Sequence, residues 1–308
     1  MRFGVHLNPF WSFAGLDDLV AYVERVESLG YDYVHIPEHT IFGLEQEQRM
    51  GAEWWDAVVL ATHLAGRTER VRLFFSIIVL PHHHPIRLAK ALATLDHISD
   101  GRVDVGIGVG WLAEEFDALG VPFSGRGARA DEYIDILRTL WTTHPCTHEG
   151  ELFRFHEMSF HPKPLQRPHP PIWVGGSIRA SVGRAAARGD AWVPMGATLD
   201  ELEAGIGRLH EALRANGRDE ATMPIAARVP LWEASAKTTT HALESGASPI
   251  HYFNGDLDAA DEHIARAAKL GVTHMWVELP LDHGHRLAEL DRFAEHAIAR
   301  RTPTAATN

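Results

Sequence analysis

The amino-acid sequence predicts an α/β fold of the TIM-barrel type, (β/α)8, with loop insertions at its C-terminal face. Three observations carry this. Strand-like and helix-like segments alternate along nearly all of the 308 residues. About eight strands can be counted in that alternation, more than an open doubly wound sheet usually has. No linker or shift in composition divides the chain, so residues 1–301 read as one domain and 302–308, TPTAATN, as a frayed tail.

The alternation opens with RFGVH (2–6) as a strand. LDDLVAYVERVESLG (16–30) follows, with apolar residues at helical spacing and a glycine to stop it, and YDYVHI (31–36) is the second strand. WWDAVVLATHLAGRT (54–68) is helical, VRLFFSIIVL (71–80) one buried strand, PIRLAKALATLDHIS (85–99) a helix opened by proline, and RVDVGIGVG (102–110) a strand. RADEYIDILRTLWTT (129–143) supplies the next helix, PIWVGG (171–176) a strand, SIRASVGRAAARG (177–189) a helix and AWVPM (191–195) a strand. The last third holds helix LDELEAGIGRLHEALRANG (199–217), strand MPIAARVPLW (223–232), helix DAADEHIARAAKLG (258–271), strand VTHMWVEL (272–279) and closing helix LAELDRFAEHAIARR (287–301). Two connections exceed ordinary turns: 37–53, and 144–170, where THEGELFRFHEMSF suits a small hairpin.

With 45% hydrophobic and 23% charged residues the chain reads as a soluble globular enzyme. Its net charge of -12, with no Lys/Arg block to overcome it, argues against general affinity for nucleic acid or an anionic membrane. Cys146 is the single cysteine, which excludes an intrachain disulfide framework and suits a reducing compartment. The first residues lack the pattern of a signal peptide and no run of 18 apolar residues occurs, so a cytoplasmic location is expected.

Side chains at the C-terminal ends of barrel strands face the active site. That rule selects His6 and Asn8 after the first strand, Glu38 and His39 after the second, residues 76–84 in and after the third, Trp111 after the fourth, and Gly175, Gly176 and Ser177 after the fifth. His39 is the candidate acid or base, because an imidazole there can bond a reacting oxygen and move a proton near neutral pH. A histidine satisfied by a backbone carbonyl is the plainer reading, and His6 stands in the same position. The GGS turn offers N–H groups at a helix start, glycines that let a phosphate approach, and Arg179 nearby; with Arg184 and Arg188 it is locally basic in an acidic chain. A tight turn with a serine N-cap fits the same residues. GIGVG (106–110) departs from the dinucleotide fingerprint, and its glycines, Gly108 among them, leave room for a flat ring with Trp111 at the rim, or for strand packing alone. No metal is expected from HHH at 82–84, since adjacent residues cannot direct three imidazoles at one tetrahedral ion. P-loop and G-x-S-x-G patterns are absent.

Two long stretches carry a family resemblance. KALATLDHISDGRVDVGIGVGWLAEEFDALGVPFSGRGARADEYIDILRTLW and GELFRFHEMSFHPKPLQRPHPPIWVGGS resemble the bacterial luciferase-like oxidoreductases, and the likeness runs over about residues 1–300. Within them, GVGWLAEEFDALGVPF with RGARADEY resembles the subgroup that uses the deazaflavin coenzyme F420. The resemblance implies a ring held at the barrel mouth by Glu38, Ser76, Ile77, Gly108 and Trp111, with its phosphate at Gly175, Gly176, Ser177 and Arg179. Arg126, with Arg129, would orient the neighbouring loop or meet an anionic glutamate tail, and the Ser76–Ile77 peptide would be cis. His39 falls where the sugar-phosphate dehydrogenases of the family carry their active-site histidine. Those enzymes have a glutamate where this chain has Trp111, so a larger, more apolar substrate than a glucose phosphate is expected.

A small organic substrate would then sit among His6, Asn8, Phe42, Trp54 and Trp111, with loop 37–53, including Met50, closing over it. The implied activity is hydride transfer between F420 and that substrate. Two alternatives stay open: an FMN-dependent two-component monooxygenase fed by a separate cofactor reductase, and a non-catalytic flavin-binding barrel. A homodimer is expected, the helices at 54–68 and 85–99 offering an apolar face.

Overall fold

The computed structural model describes residues 1–7, 9–233 and 250–300. The tail at 302–308 and Asn8 therefore lie outside the described residues. The first half runs β1 (Arg2–His6), α1 (Leu16–Ser28), β2 (Tyr33–Ile36), α2 (Leu44–Met50), α3 (Ala57–Ala65), β3 (Arg72–Phe75), β4 (Ile78–Val79), α4 (Pro85–Ile98), β5 (Val103–Gly108), α5 (Ala113–Ala118) and α6 (Arg126–Thr142). A hairpin of β6 (Cys146–Glu149) and β7 (Arg154–Met158) leads to β8 (Ile172–Gly176), α7 (Ile178–Arg188), β9 (Ala191–Pro194), α8 (Leu199–Ala215), β10 (Ala226–Val229), α9 (Leu257–Lys269), β11 (His274–Val277) and α10 (His283–Phe293).

The strands form a nearly closed barrel of parallel strands in the order β10-β11-β1-β2-β3-β5-β8-β9, surrounded by helices. Between β9 and β10 the join is a single bridge, Trp192 to Ile225, with Trp192 N–H donating to Pro224 O at 2.9 Å. The third barrel strand, expected as one run over 71–80, is interrupted: β3 ends at Phe75, β4 resumes at Ile78, and the Ser76–Ile77 peptide between them is cis. Both pieces pair with β5, Leu73 with Val103 and Ile78 with Ile107.

The barrel is filled rather than hollow, by Tyr33, Phe74, Trp173, Ala191, Val193, Ala226 and Trp276, with the fully buried His35 among them. A second apolar layer, including Leu19, Val34, Leu60, Leu92 and Leu137, joins the strands to the helices. At the underside, buried Arg102 donates to Ser99 O, Thr68 Oγ1, Val71 O, Ala65 O and Thr68 O, which ties the α3–β3 and α4–β5 connections together.

Two departures from expectation lie at the mouth. The connection 37–53 contains α2, and the segment after β5 contains α5, six residues that are too few for a periodic signal. Helix α6 begins at Arg126 rather than at 129, because Gly125 turns the chain at φ 72° just before it. Helix α10 begins four residues early, where the Asp282 carboxylate accepts the His285 N–H as an N-cap. The hairpin expected within 147–160 is present. Among the described residues no helix is long and apolar enough to cross a membrane.

Candidate functional site

His39 leaves β2 and enters the mouth, where its ring is met edge-on by Phe42 (5.8 Å), Trp54 (4.7 Å) and Trp111 (6.0 Å). Its Nδ1–H donates to Glu115 Oε2 at 3.1 Å, and Glu115 Oε1 also accepts the N–H of Thr40 at 2.5 Å and of Ile41 at 3.3 Å. Burial alone would raise the Glu115 carboxyl; its hydrogen bonds with His39 and the Thr40 N–H outweigh that and hold it below the ordinary range. The side chains of His39 and Glu115 are 12% and 2% exposed, so this is a shielded pair. Glu115 is the residue that strand-end reasoning missed. It lies on α5, four residues past Trp111, and its signal was an acid in the first turn of a helix that the sequence did not reveal. Trp54 Nε1 is buried without a partner, and the residue also lines a cavity of about 710 Å³ between the start of α1 and α3.

Glu38, expected at the ligand, has its carboxylate engaged by the protein's own groups. Its carboxylate accepts the Val79 N–H at 2.7 Å and the His83 Nε2–H at 2.8 Å, so it fixes β4 and the turn that follows. Burial opposes a charge on His83, yet the Glu38 bond and charge outweigh it and raise its pKa. The three adjacent histidines diverge: His82 packs against Phe116 at 4.6 Å, His83 bonds Glu38, and His84 packs on Phe153 at 5.2 Å. Burial lowers the His82 pKa, and neither of its ring nitrogens has a partner. No three His, Cys, Asp or Glu side chains among the described residues are grouped to hold a metal ion.

The room left by the GIGVG glycines is taken by the protein itself. A Cβ on Gly106 would meet the Phe75 carbonyl oxygen at 1.8 Å, and one on Gly108 would meet Ile77 Cδ1 at 1.8 Å. Gly175 lies under the same residue, with Ile77 Cγ2 at 2.8 Å from its ideal Cβ position. Gly108 and Gly175 are therefore a seat for Ile77, and Ile77 rather than the glycines is what a planar ligand would meet. Beside it, Ser76 Oγ is buried without a partner among the described residues.

After β8 the chain turns at Gly176 (φ 124°), and Ser177 begins α7 without a side-chain cap. The basic run is less free than its sequence implies. Arg184 Nε donates to Asp131 at 2.5 Å and Arg188 Nε to Asp135 at 3.1 Å, both on α6, so two of the three arginines are ties between helices. Arg179 is exposed and has no acidic partner among the described residues. Arg126 is turned to its own loop, donating to Gly110 O (3.1 Å) and Phe123 O (3.3 Å) and stacking over the Phe123 ring at 3.8 Å. It orients that loop. Arg129 Nε is buried without a partner.

Across the mouth, His6 lies within a polar group that includes residues not selected from the sequence. Burial first and the charge of Arg228 second bring its pKa down to about 4, against a backbone bond with Ser76 that favours the protonated ring. Arg228 NH1 donates to Glu278 Oε1 at 3.2 Å, while Glu278 Oε2 is buried without a partner among the described residues. Burial raises the Glu278 carboxyl against the opposing pull of Arg228. The visible signal for both was a charge at the end of an otherwise apolar strand, in AARVP and MWVEL.

The residues present suit a flat, phosphate-bearing group: an apolar face at Ile77, an orphaned Ser76 hydroxyl beside it, and a glycine turn with an exposed arginine at a helix start. Comparison with known proteins adds to this. The model of a family described as luciferase-like monooxygenase matches residues 1–288. An FMNH2-dependent dimethylsulfone monooxygenase of Pseudomonas putida is 33% identical over 165 residues, which is 53% of this chain and 45% of that protein. A monooxygenase from Streptomyces bottropensis superposes with a TM-score of 0.73 at 25% identity, covering 97% of this chain and 99% of that one. The coenzyme F420 dependent tetrahydromethanopterin reductase of Methanopyrus kandleri has the same fold, with a TM-score of 0.76 at 17% identity over 97% of this chain and 98% of its own.

Proposed function

Since this chain belongs to the luciferase-like monooxygenase family, we propose that it is an oxidoreductase that binds coenzyme F420 at the barrel mouth and exchanges hydride with a small organic substrate. The observation that carries the reading is the shielded His39–Glu115 pair within three aromatic rings. When bound, the deazaflavin supplies a carbon that gives or takes hydride and reacts poorly with oxygen.

The protein's own part follows from its contacts. Glu115 holds the Nδ1–H of His39, which fixes the tautomer and leaves Nε2 to give or take the proton that accompanies hydride transfer. Phe42, Trp54 and Trp111 exclude water around that nitrogen. Ile77 would back the ring, and the Gly175–Ser177 turn with Arg179 would hold its phosphate. The choice of F420 rests on the resemblance of GVGWLAEEFDALGVPF and RGARADEY to that subgroup.

The FMNH2-dependent relative favours a second reading, an FMN-dependent monooxygenase supplied by a separate reductase. Titration of the protein with coenzyme F420 and with FMN, followed by tryptophan quenching, separates the two. Micromolar F420 binding with much weaker FMN binding supports the first. The reverse preference, with oxygen uptake on adding reduced FMN, replaces it by the second. The same proposal includes a homodimer, for which Val59 on α3 (68% exposed) and Ile98 on α4 (50% exposed) are available apolar surface, and sedimentation equilibrium tests it.

A further inference from the structure

Strands β10, β11 and β1 are neighbours, and each brings a polar residue to the mouth: Arg228 one residue before the end of β10, Glu278 just past β11, His6 at the end of β1. Arg228 and Glu278 are paired at 3.2 Å, and their side chains are only 13% and 14% exposed. Two buried oxygens, Glu278 Oε2 and Ser76 Oγ, lack partners among the described residues, and His6 is in contact with the Ser76 backbone and in the field of Arg228. Buried oxygens without partners are costly unless something bonds them when the site is in use. Arg228 and Glu278 carry opposite charges, the His6 imidazole is neutral, and the charge of Glu233 also acts on Glu278, so the group does not draw in an anion. An anion brought to Arg228 would also lie beside the unpaired oxygen of Glu278.

We propose that His6, Arg228 and Glu278 form a specificity subsite that reads a neutral hydrogen-bond donor, a hydroxyl or N–H, on a substrate with an apolar body, and rejects carboxylates and phosphates. Glu278 Oε2 accepts from the donor, and Arg228 holds the carboxylate in place through Oε1. The aromatic wall of Phe42, Trp54 and Trp111 takes the apolar body. This rests on the reading of the barrel mouth as the substrate site of an oxidoreductase and names the substrate class for it.

The test is calorimetric titration of the full chain at pH 7.5 with 2-naphthol, 2-methoxynaphthalene and 2-naphthoate, which share one ring system and differ in donor and charge. 2-Naphthol is expected to bind about tenfold tighter than the methyl ether, with naphthoate weakest. In Glu278→Gln the naphthol advantage falls to about twofold and naphthoate gains, because Arg228 is left uncompensated. The double variant Arg228→Met with Glu278→Met, which replaces the pair by apolar groups, loses both preferences while its thermal unfolding stays cooperative. Equal affinities in the unaltered protein, or an unchanged ranking in both variants, overturn the subsite. Titration of the same samples with coenzyme F420 and FMN keeps the two ideas apart. Naphthol discrimination without binding of either cofactor sinks the oxidoreductase reading alone, and cofactor binding without discrimination sinks the subsite alone.

Discussion

At the scale of single residues, the site depends on which neighbour holds each polar group. In the proposed role of proton carrier, His39 depends on Glu115 keeping Nδ1 occupied, so the two should fail differently. His39→Ala is expected to lower kcat by about 100-fold or more with cofactor affinity retained, and Glu115→Gln by about tenfold, measured by steady-state turnover beside cofactor titration. Ile77 is a second residue-scale test. Gly108→Ala puts a methyl where Ile77 Cδ1 now lies, 1.8 Å away, and pushes that flexible side chain into the mouth. Cofactor affinity should fall about tenfold in Gly108→Ala and recover when Ile77→Ala is added, because the second change removes the displaced atoms. Lack of recovery would mean that the glycine, rather than the isoleucine it seats, meets the ligand.

At the scale of elements, the barrel strands are positioned by polar ties at their ends as much as by the apolar layer between strands and helices. Arg102, at the start of β5, bonds four carbonyls and a threonine hydroxyl from the turns after α3 and α4 and the approach to β3. Arg102→Met retains the stem but leaves those buried carbonyls short of donors, so a loss of about 3 kcal/mol is expected in urea unfolding, with little change in cofactor binding, since the site is at the opposite end. The acidic residues on α6 that hold Arg184 and Arg188 show the same principle on the outside of the barrel. They explain why a basic run in the sequence is only partly available to a ligand.

At the scale of the molecule, a filled barrel carries several histidines that must stay neutral. Burial depresses His6 to about 4 and His274 to about 3, and also lowers His35, His82 and His263. Below about pH 6.5 the unfolded chain takes up protons that these rings refuse in the folded state. Stability is therefore whole above that pH and is lost as the pH falls toward 4, by up to about 1.4 kcal/mol per unit for each such ring. His83, raised by Glu38 against its burial, works in a different window: its contribution is complete below about pH 6.5 and is lost as the pH rises through its raised pKa, so it does not offset the loss on acidification. Urea midpoints measured from pH 7.5 to 4.5 should fall steadily; a flat profile would mean that the barrel interior admits protons without unfolding.

The sequence by itself determined the fold and most of the mouth. The alternation of periods two and 3.6 is local, and a barrel of eight parallel strands is the arrangement it favours because an open doubly wound sheet usually has fewer strands. Position at strand ends was enough to select His39, His6, Ser76 and the Gly175–Ser177 turn as candidates. Only the tertiary structure decided who holds whom. Glu38 turned out to hold β4, Gly108 to seat Ile77, and Arg126 to brace its own loop, while Glu115, Arg228 and Glu278 joined the site from elements far along the chain. Hydrogen bonds between residues 41 to 76 positions apart leave no periodic trace, because their partners are chosen by the closure of the barrel and not by neighbours in sequence.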